Sequence, residues 1–354
     1  MNQNVTIITS AKNWMESAAV TQLNAVAKLE GVERVVGLPD LHAGKSPVGM
    51  AFLTDGVIYP HLIGNDIGCG MGLFATGVRL DKYVEKRWVS RLNHIRELGD
   101  IEADNPYEEE SPIRDLGTIG GGNHFAEFQK LEEVYDEAAF KTLGLMPGEL
   151  ALLMHSGSRG YGQRIFNSLD YEIGLEGEKS CEYMYRHDDA LMWAERNRVV
   201  TANKLVDWLG FGSKPKLIID LHHNYIERIG NTYIHRKGAV SSRSGLVVLP
   251  GSRGSLTYIL KPSEDTSAAL DSLSHGAGRK WARSLCRSRI KNKYDRDSIR
   301  RTALKSNVVC HNTDLLFEEA PEAYKNITHI LAALIEHKLA TVVAALRPLI
   351  TYKG

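Results

Sequence analysis

Between Leu62 and Gly72 the chain reads LIGNDIGCGMG, four glycines set around one carboxylate, Asp66, and one thiol, Cys69. Glycine lets the backbone take unusual φ,ψ values and lets another group approach closely, so such a segment is a site-forming loop. The pattern recurs along the chain. GTIGGGNHFAE carries Asn123, His124 and Glu127; MHSGSRGYG carries His155 and Arg159. DLHHNY carries Asp220, His222, His223 and Asn224, and LSHGAGRKWAR carries His275, Arg279 and Arg283. Two of these loops follow short apolar runs, ELALLM before His155 and KLIIDL before His222, that read as buried strands. The fold must therefore bring distant loops together at strand ends, where a rigid scaffold presents functional groups.

Other segments fill in the expected frame. Ser10 can cap a helix over roughly 11–29, with Leu23, Val26 and Leu29 on one face. VGMAFLTDGVIYP reads as two strands about a Thr54-Asp55-Gly56 turn. Helical periodicity is expected over 188–209 and again over 327–346. Strands and helices interleave without a βαβ rhythm, which predicts one compact α+β domain over 1–354 with a central site. At 354 residues and 43% hydrophobic the chain can bury a sizeable core. No apolar run approaches the roughly 20 residues of a membrane span, and the start lacks a basic-then-apolar signal. Cys69, Cys181, Cys286 and Cys310 show no close pairing, so they read as reduced thiols of a cytoplasmic protein.

The formal net charge of zero does not announce a nucleic-acid partner. The charge is uneven, however. Arg279 to Lys305 holds eleven Lys or Arg against Asp295 and Asp297, while Glu97 to Glu110 carries seven acids. The basic block reads either as a polyanion track or as a solvated surface.

Taken singly, each His or Cys is an ordinary structural residue. As a set, they form a mixed ligand inventory. Thiolate and imidazole suit borderline transition metals, and a carboxylate widens the choice towards manganese. No zinc-finger spacing occurs, so the ligands would converge from separate segments. The HGAGR loop places His275 beside an anion grip, since Arg meets phosphate with a planar fork. HSGSRG and PGSRG can form anion-binding nests. No GxxxxGK[ST] pattern is present, so a nucleotide site here is not an ordinary P-loop.

PDLHAGK, GNDIGCGMG, GTIGGGNHFAE, HSGSRG, HHN, RKGA, PGSRG, SHGAGR, EAPEAYK and LRPLITYKG occur in that order from Pro39 to Gly354. As a set they resemble the RtcB family of RNA ligases. The resemblance implies GTP as cofactor and two Mn²⁺ ions. It implies joining of RNA ends that bear a 2′,3′-cyclic phosphate or 3′-phosphate to 5′-hydroxyl ends. Asp66, Cys69, His124, His155 and His223 then match metal ligands, with Cys69 touching both ions. His223 is chosen over His222 because the family pattern puts the ligand directly before Asn224. His275 matches the guanylylated histidine. Asn123, Glu127, Asn224, Ser252, Thr257, Gly276, Ala277, Tyr324 and Lys353 match positions that hold GTP. Arg159, Arg279 and Arg283 match residues near RNA phosphate.

The chain departs from the family in being short, in carrying Arg253 where Met is usual in PGSRG, and in its continuation after PDLHAGK. These features resemble a branch encoded beside a peptide release factor homologue, which implies RNA of stalled ribosomes as a target. Two other readings stand beside the ligase. One is a metal-dependent phosphodiesterase or phosphatase that uses no nucleotide. The other is a non-catalytic RNA- or ribosome-binding factor using residues 279–305.

Overall fold

ELALLM and KLIIDL are strands, as expected, the first in the interior of a large sheet and the second at its edge. In a computed structural model, which describes residues 4–95, 98, 115–169, 174–295 and 297–354, fifteen strands occur among the described residues. They are β1 (Val5–Ile7), β2 (Val32–His42), β3 (Val48–Asp55), β4 (Gly70–Arg79), β5 (Phe125–Val134), β6 (Glu149–Ser156), β7 (Lys216–His222), β8 (Asn224–Ile229), β9 (Thr232–Lys237), β10 (Ala239–Ser241), β11 (Val247–Pro250), β12 (Thr257–Pro262), β13 (Ser272–Ser274), β14 (Asn307–Cys310) and β15 (Ala340–Lys353). One sheet runs β1-β2-β3-β9-β8, and β10 pairs with β13. The largest runs β11-β12-β15-β5-β6-β4-β7, with β14 added parallel to the end of β15. Mixed sheets with helices around them make the α+β class that was expected. The acidic run from Glu97 to Glu110 lies outside the described residues, Leu98 apart.

The largest sheet is covered on both faces. On one face Leu73, Ala151, Leu153 and Leu346 share a core with Val36, Leu38 and Ala51 of the smaller sheet. On the other, Phe74, Leu152, Met154 and Tyr352 pack on Trp88 and Leu92 of helix Glu85–Asn93 and on Leu205 and Val206 of helix Gly177–Trp208. A strand buried on both sides is apolar at every position rather than alternating.

That double burial explains one departure from expectation. Residues 327–346 are not one helix: the helix ends at Glu336, and β15 begins at Ala340. Lys338 turns the chain with φ +55°, and Leu339 N–H bonds back to Leu334 O at 2.9 Å. Val343 to Leu346 are all fully buried, so a two-faced strand carried the same apolar density as a helix. The stretch after Gly56 is not a second hairpin strand either. Both edges of β3 are taken, by β2 and β9, so Ile58 bridges to Leu175 instead and Pro60–Ile63 forms a short helix. The first helix is Ser17–Val26, shorter than expected. Asn13 donates to Pro39 O at 2.7 Å and pins the preceding segment to β2, so Ser10 caps nothing. The expected 188–209 helix starts at Gly177, through a polar first half whose composition hid the period.

Antiparallel pairing puts one end of each strand of the large sheet on the same side. The end of β11, start of β12, start of β5, end of β6, start of β4 and end of β7 lie there, as the pairs Pro250↔Thr257, Phe125↔His155, Gly70↔Ser156 and Gly70↔His222 record. The end of β15 joins them through Tyr352↔Ala126. The chain crosses from this sheet into the smaller one at His223, between β7 and β8.

Candidate functional site

His124 precedes β5, His155 ends β6, Cys69 precedes β4 and His223 follows β7, so the sheet's register delivers four groups to one point. Cys69 Sγ lies 3.3 Å from His124 Nε2 and 3.2 Å from His155 Nε2. His155 Nε2 is 3.3 Å from His223 Nε2, and Asp66 Oδ2 is 2.9 Å from His124 Nε2. The five expected ligands thus form two overlapping triads, Asp66–Cys69–His124 and Cys69–His155–His223, each with its ligand atoms within 4.8 Å of one another. The loops need glycine to close: a Cβ on Gly157 would collide with the Asp66 carboxylate.

The donor chemistry fits a cation. His124 Nδ1 faces Ile119 O at 3.0 Å and His155 Nδ1 faces Asn123 O at 3.1 Å. A carbonyl accepts only, so each Nδ1 carries a proton and Nε2 is the nitrogen each ring offers to a ligand. Both Nε2 atoms face one sulfur, which has a single proton to give. His223 Nδ1 is buried with no partner. The cluster therefore holds more acceptors than protons, the condition a metal ion relieves. Burial pushes His155 and His223 well below the ordinary imidazole range, so both are neutral ligands at neutral pH. Burial, and then the nearby Asp66 charge, pushes the Cys69 thiol up, and a bound cation would displace that proton. Burial alone would raise the Asp66 carboxyl, but His124 outweighs it and holds it below the usual carboxylate range.

His275 follows β13 directly and meets this cluster, its ring centroid 4.8 Å from that of His223. Its Nδ1 donates to Asp40 Oδ2 at 2.6 Å, a bond that favours the tautomer with its lone pair on Nε2. Asp40 is fully buried on an irregular part of β2, where pairing with β3 slips between Gly37 and His42. An uncompensated buried carboxylate costs several kcal/mol. Lys325 supplies the compensation: its Nζ donates to Pro39 O at 3.2 Å and Leu41 O at 2.7 Å, on either side of Asp40. Burial lowers Lys325 to about 8, against the opposing pull of Asp40. Gly278 (φ +68°) lets the HGAGR loop press on β2, since a Cβ there would collide with Asp40 O. Asp40 and Lys325 lie within PDLHAGK and EAPEAYK, where little in the pattern distinguishes them from their polar neighbours. A buried acid beside a proline in a strand was the available signal.

Beside the cluster opens a cavity of about 620 Å³, within the range of roughly 300–1,000 Å³ usual for small-molecule sites. Asn123, Glu127, Asn224, Ser252, Gly276, Ala277, Tyr324 and Lys353 line it, together with Cys69 and His275. Thr257 does not. It is buried behind Glu127, where its hydroxyl accepts from Gln129 Nε2 at 2.9 Å. Burial raises Glu127 to about 7, although Thr351 (2.5 Å) and Gln129 (2.7 Å) pull it down. Lys353 donates to His124 O at 2.9 Å, and burial lowers it too. Glu319, another residue not singled out, binds Arg279 at 3.0 Å, Arg283 at 3.3 Å and the Tyr324 hydroxyl.

The three arginines fall in different settings. Arg159 and Arg283 flank a groove that reaches Asp66 and His124 from outside. Arg279 lines the main cavity, but its guanidinium is directed at protein acceptors: Glu319, Glu318 O (2.8 Å) and Trp281 O (3.2 Å). Arg253, the departure in PGSRG, donates to Ile299 O and Leu316 O, both at 3.0 Å, and ties that loop to the segment that follows the basic helix. Elsewhere in the basic block Arg287 pairs with Asp314, Lys293 with Glu322 and Arg301 with Glu85. No helix among the described residues is long and apolar enough to cross a membrane.

The sheet end thus brings a thiol, imidazoles and a carboxylate together as a candidate metal site beside a cavity of small-molecule size, with His275 at its edge. The family profile described as tRNA-splicing ligase RtcB matches residues 22–99, 84–173 and 171–354. The chain is 40% identical to RNA-splicing ligase RtcB2 of Escherichia coli (strain ATCC 25922), over 98% of this chain and 95% of that protein. It is 28% identical to RNA-splicing ligase RtcB of Escherichia coli K12, over 96% and 95%. It is 24% identical to tRNA-splicing ligase RtcB of Thermococcus kodakarensis, over 96% and 92%. The chain belongs to the RtcB family.

Proposed function

We propose that this protein is a GTP-dependent RNA ligase that joins 2′,3′-cyclic phosphate or 3′-phosphate ends to 5′-hydroxyl ends through guanylylated His275. The single observation that carries the reading is the meeting of His275 with the ligand cluster, at 4.8 Å from His223 and with Nδ1 held by Asp40. Asp66, Cys69 and His124 would hold one Mn²⁺, and Cys69, His155 and His223 the other. Bound there, the ions would offset the triphosphate charge that repels an incoming nucleophile.

The chain's own groups account for the rest. His275 Nε2 attacks the α-phosphorus of GTP, and pyrophosphate leaves. Asp40 keeps the Nδ1 proton in place and stabilises the positive charge that grows on the ring. Water opens a cyclic RNA end to a 3′-phosphate, which attacks the phosphorus of the His275–GMP bond, releases His275 and forms RNA(3′)pp(5′)G. The 5′-hydroxyl of the second strand displaces GMP and closes the backbone. Asn123, Glu127, Asn224, Ser252, Gly276, Ala277, Tyr324 and Lys353 would hold the nucleotide, with Thr257 supporting Glu127 from behind. Arg159 and Arg283 would draw RNA phosphate along the outer groove, and Arg279 would brace the cavity wall. The relatives' names, RNA- and tRNA-splicing ligases, support RNA as the substrate. The branch resemblance extends the reading to broken RNA of stalled ribosomes in the cytoplasm, acted on together with a release factor homologue.

Incubation with Mn²⁺, α-labelled GTP and a nicked RNA hairpin bearing a 2′,3′-cyclic phosphate tests this. The expected result is a labelled protein and a sealed strand, both dependent on GTP. Phosphate release or strand cleavage without GTP and without an adduct would replace the ligase with a hydrolase. RNA binding that survives chelation, with no chemistry, would leave only a binding factor.

A further inference from the structure

The strand ends that carry Cys69, His155 and His223 share one partner that has no part in the chemistry above. Arg198, on helix Gly177–Trp208, is fully buried. Its Nη1 donates to Gly68 O at 3.0 Å and to Ser156 O at 2.9 Å. Its Nη2 lies 2.7 Å from Asp220 Oδ1, an ion pair that lacks good hydrogen-bond alignment, and 3.4 Å from His222 Nδ1. Gly68 precedes Cys69, Ser156 follows His155, and His222 precedes His223. One planar group thus touches the immediate neighbour of each member of one ligand triad, at β4, β6 and β7. His222 closes the set, with Nδ1 3.1 Å from Gly68 O and Nε2 2.9 Å from Glu195.

Stability does not account for an arginine here. Removing two charges from water costs several kcal/mol per ion, and apolar side chains of similar volume commonly do as well or better. Nor does charge, because a cation beside a metal site opposes metal binding, and Asp220 cancels it. What a guanidinium supplies, and a lysine does not, is several donors fixed in one plane. The adjacent Asn197 acts in the same way on the other loops: its Oδ1 accepts from Gly117 and Thr118 N–H at 2.7 and 3.1 Å, and its Nδ2 donates to Ser156 Oγ at 2.9 Å.

We infer that Arg198 is the positioning residue of the metal centre: its guanidinium sets the spacing of Cys69, His155 and His223, and so the affinity and geometry of the cation they hold. This rests on the reading that those three residues bind metal. The test is Co²⁺ titration of the full-length protein, followed by the thiolate-to-cobalt band and the visible ligand-field bands. Circular dichroism of the metal-free forms monitors folding.

Arg198→Lys keeps the charge and most of the volume but loses the fork. It is expected to bind Co²⁺ about 10–100-fold more weakly, with shifted ligand-field bands at saturation and an unchanged metal-free fold. Lower stability alone would not shift the bands of a saturated site. Wild-type affinity and bands in folded Arg198→Lys would overturn the inference. Should that variant not fold, Asp220→Asn decides, because it removes the charge that holds Nη2 from 2.7 Å and leaves the arginine in place. Weakened binding with shifted bands supports the inference, and wild-type behaviour overturns it. If the wild-type protein takes up no cobalt, the metal-centre reading itself has failed.

Discussion

The ligand end of the large sheet and the basic segment 279–305 both concentrate polar chemistry, yet they satisfy it in opposite ways. In the basic segment cations meet acids of the same chain: Arg279 with Glu319, Arg287 with Asp314, Lys293 with Glu322 and Arg301 with Glu85. At the ligand end like meets like: two imidazole nitrogens face one sulfur, and a third imidazole faces the second. Net charge distinguished neither. The first region is largely closed on itself. The second, on the proposed reading, is completed by a cation.

The sharpest way to break that contrast is at the shared ligand. Cys69→Ala removes the one group common to both triads, and its metal content by elemental analysis is expected to fall from stoichiometric to background. Retention of two ions would remove the basis for calling the cluster a metal centre. Lys353→Ala should leave metal content intact and weaken GTP use by about 10–100-fold, the worth of a hydrogen bond from a charged group. Unchanged GTP dependence would take Lys353 out of the nucleotide site.

Acid should destabilise the fold through two buried imidazoles, His42 beside the cavity and His235 stacked on Phe52 in the smaller sheet. Burial lowers His235 from 6.5 to about 3 and His42 from 6.5 to about 4. Both folded values lie below the unfolded one, so this stability is fully present above pH 6.5 and is lost as pH falls towards 4. Each group accounts for about 2 kcal/mol by pH 5 as an upper bound. The urea midpoint should be flat from pH 8 to 7 and drop between 6.5 and 5. A flat midpoint across that range would mean those rings are not buried neutral. The smallest effect belongs to Arg287→Ala, on an exposed pair, which should change stability by about 0.5 kcal/mol or less. A loss of several kcal/mol there would mean the basic segment is held by its ion pairs and not by the apolar contacts of Ile290, Val308 and Leu316.

What the sequence made legible follows from the same contrast. Asp66, Cys69, His124, His155 and His275 were readable because each sits in a glycine-rich loop, and His223 because it stands between a strand-like apolar run and Asn224. Asp40 and Lys325 were not, because they lie within a strand and after a short turn, where polar groups pass as ordinary. Arg198 was hidden in a helix whose other residues fit an amphipathic pattern. The 327–346 helix was misplaced beyond Glu336 because a strand buried on both faces leaves no period to detect. The hairpin after Gly56 failed because pairing depends on which edge is vacant, and only the assembled sheet decides that.

The central claim is that His275 is the nucleophile at the edge of a metal centre. Mass spectrometry of the protein after incubation with Mn²⁺ and GTP tests it most directly. The account predicts one GMP, in acid-labile linkage, on the peptide containing residue 275, and none on His275→Ala protein that still carries its metal. GMP on any other side chain, or an equally labelled His275→Ala protein, would contradict it.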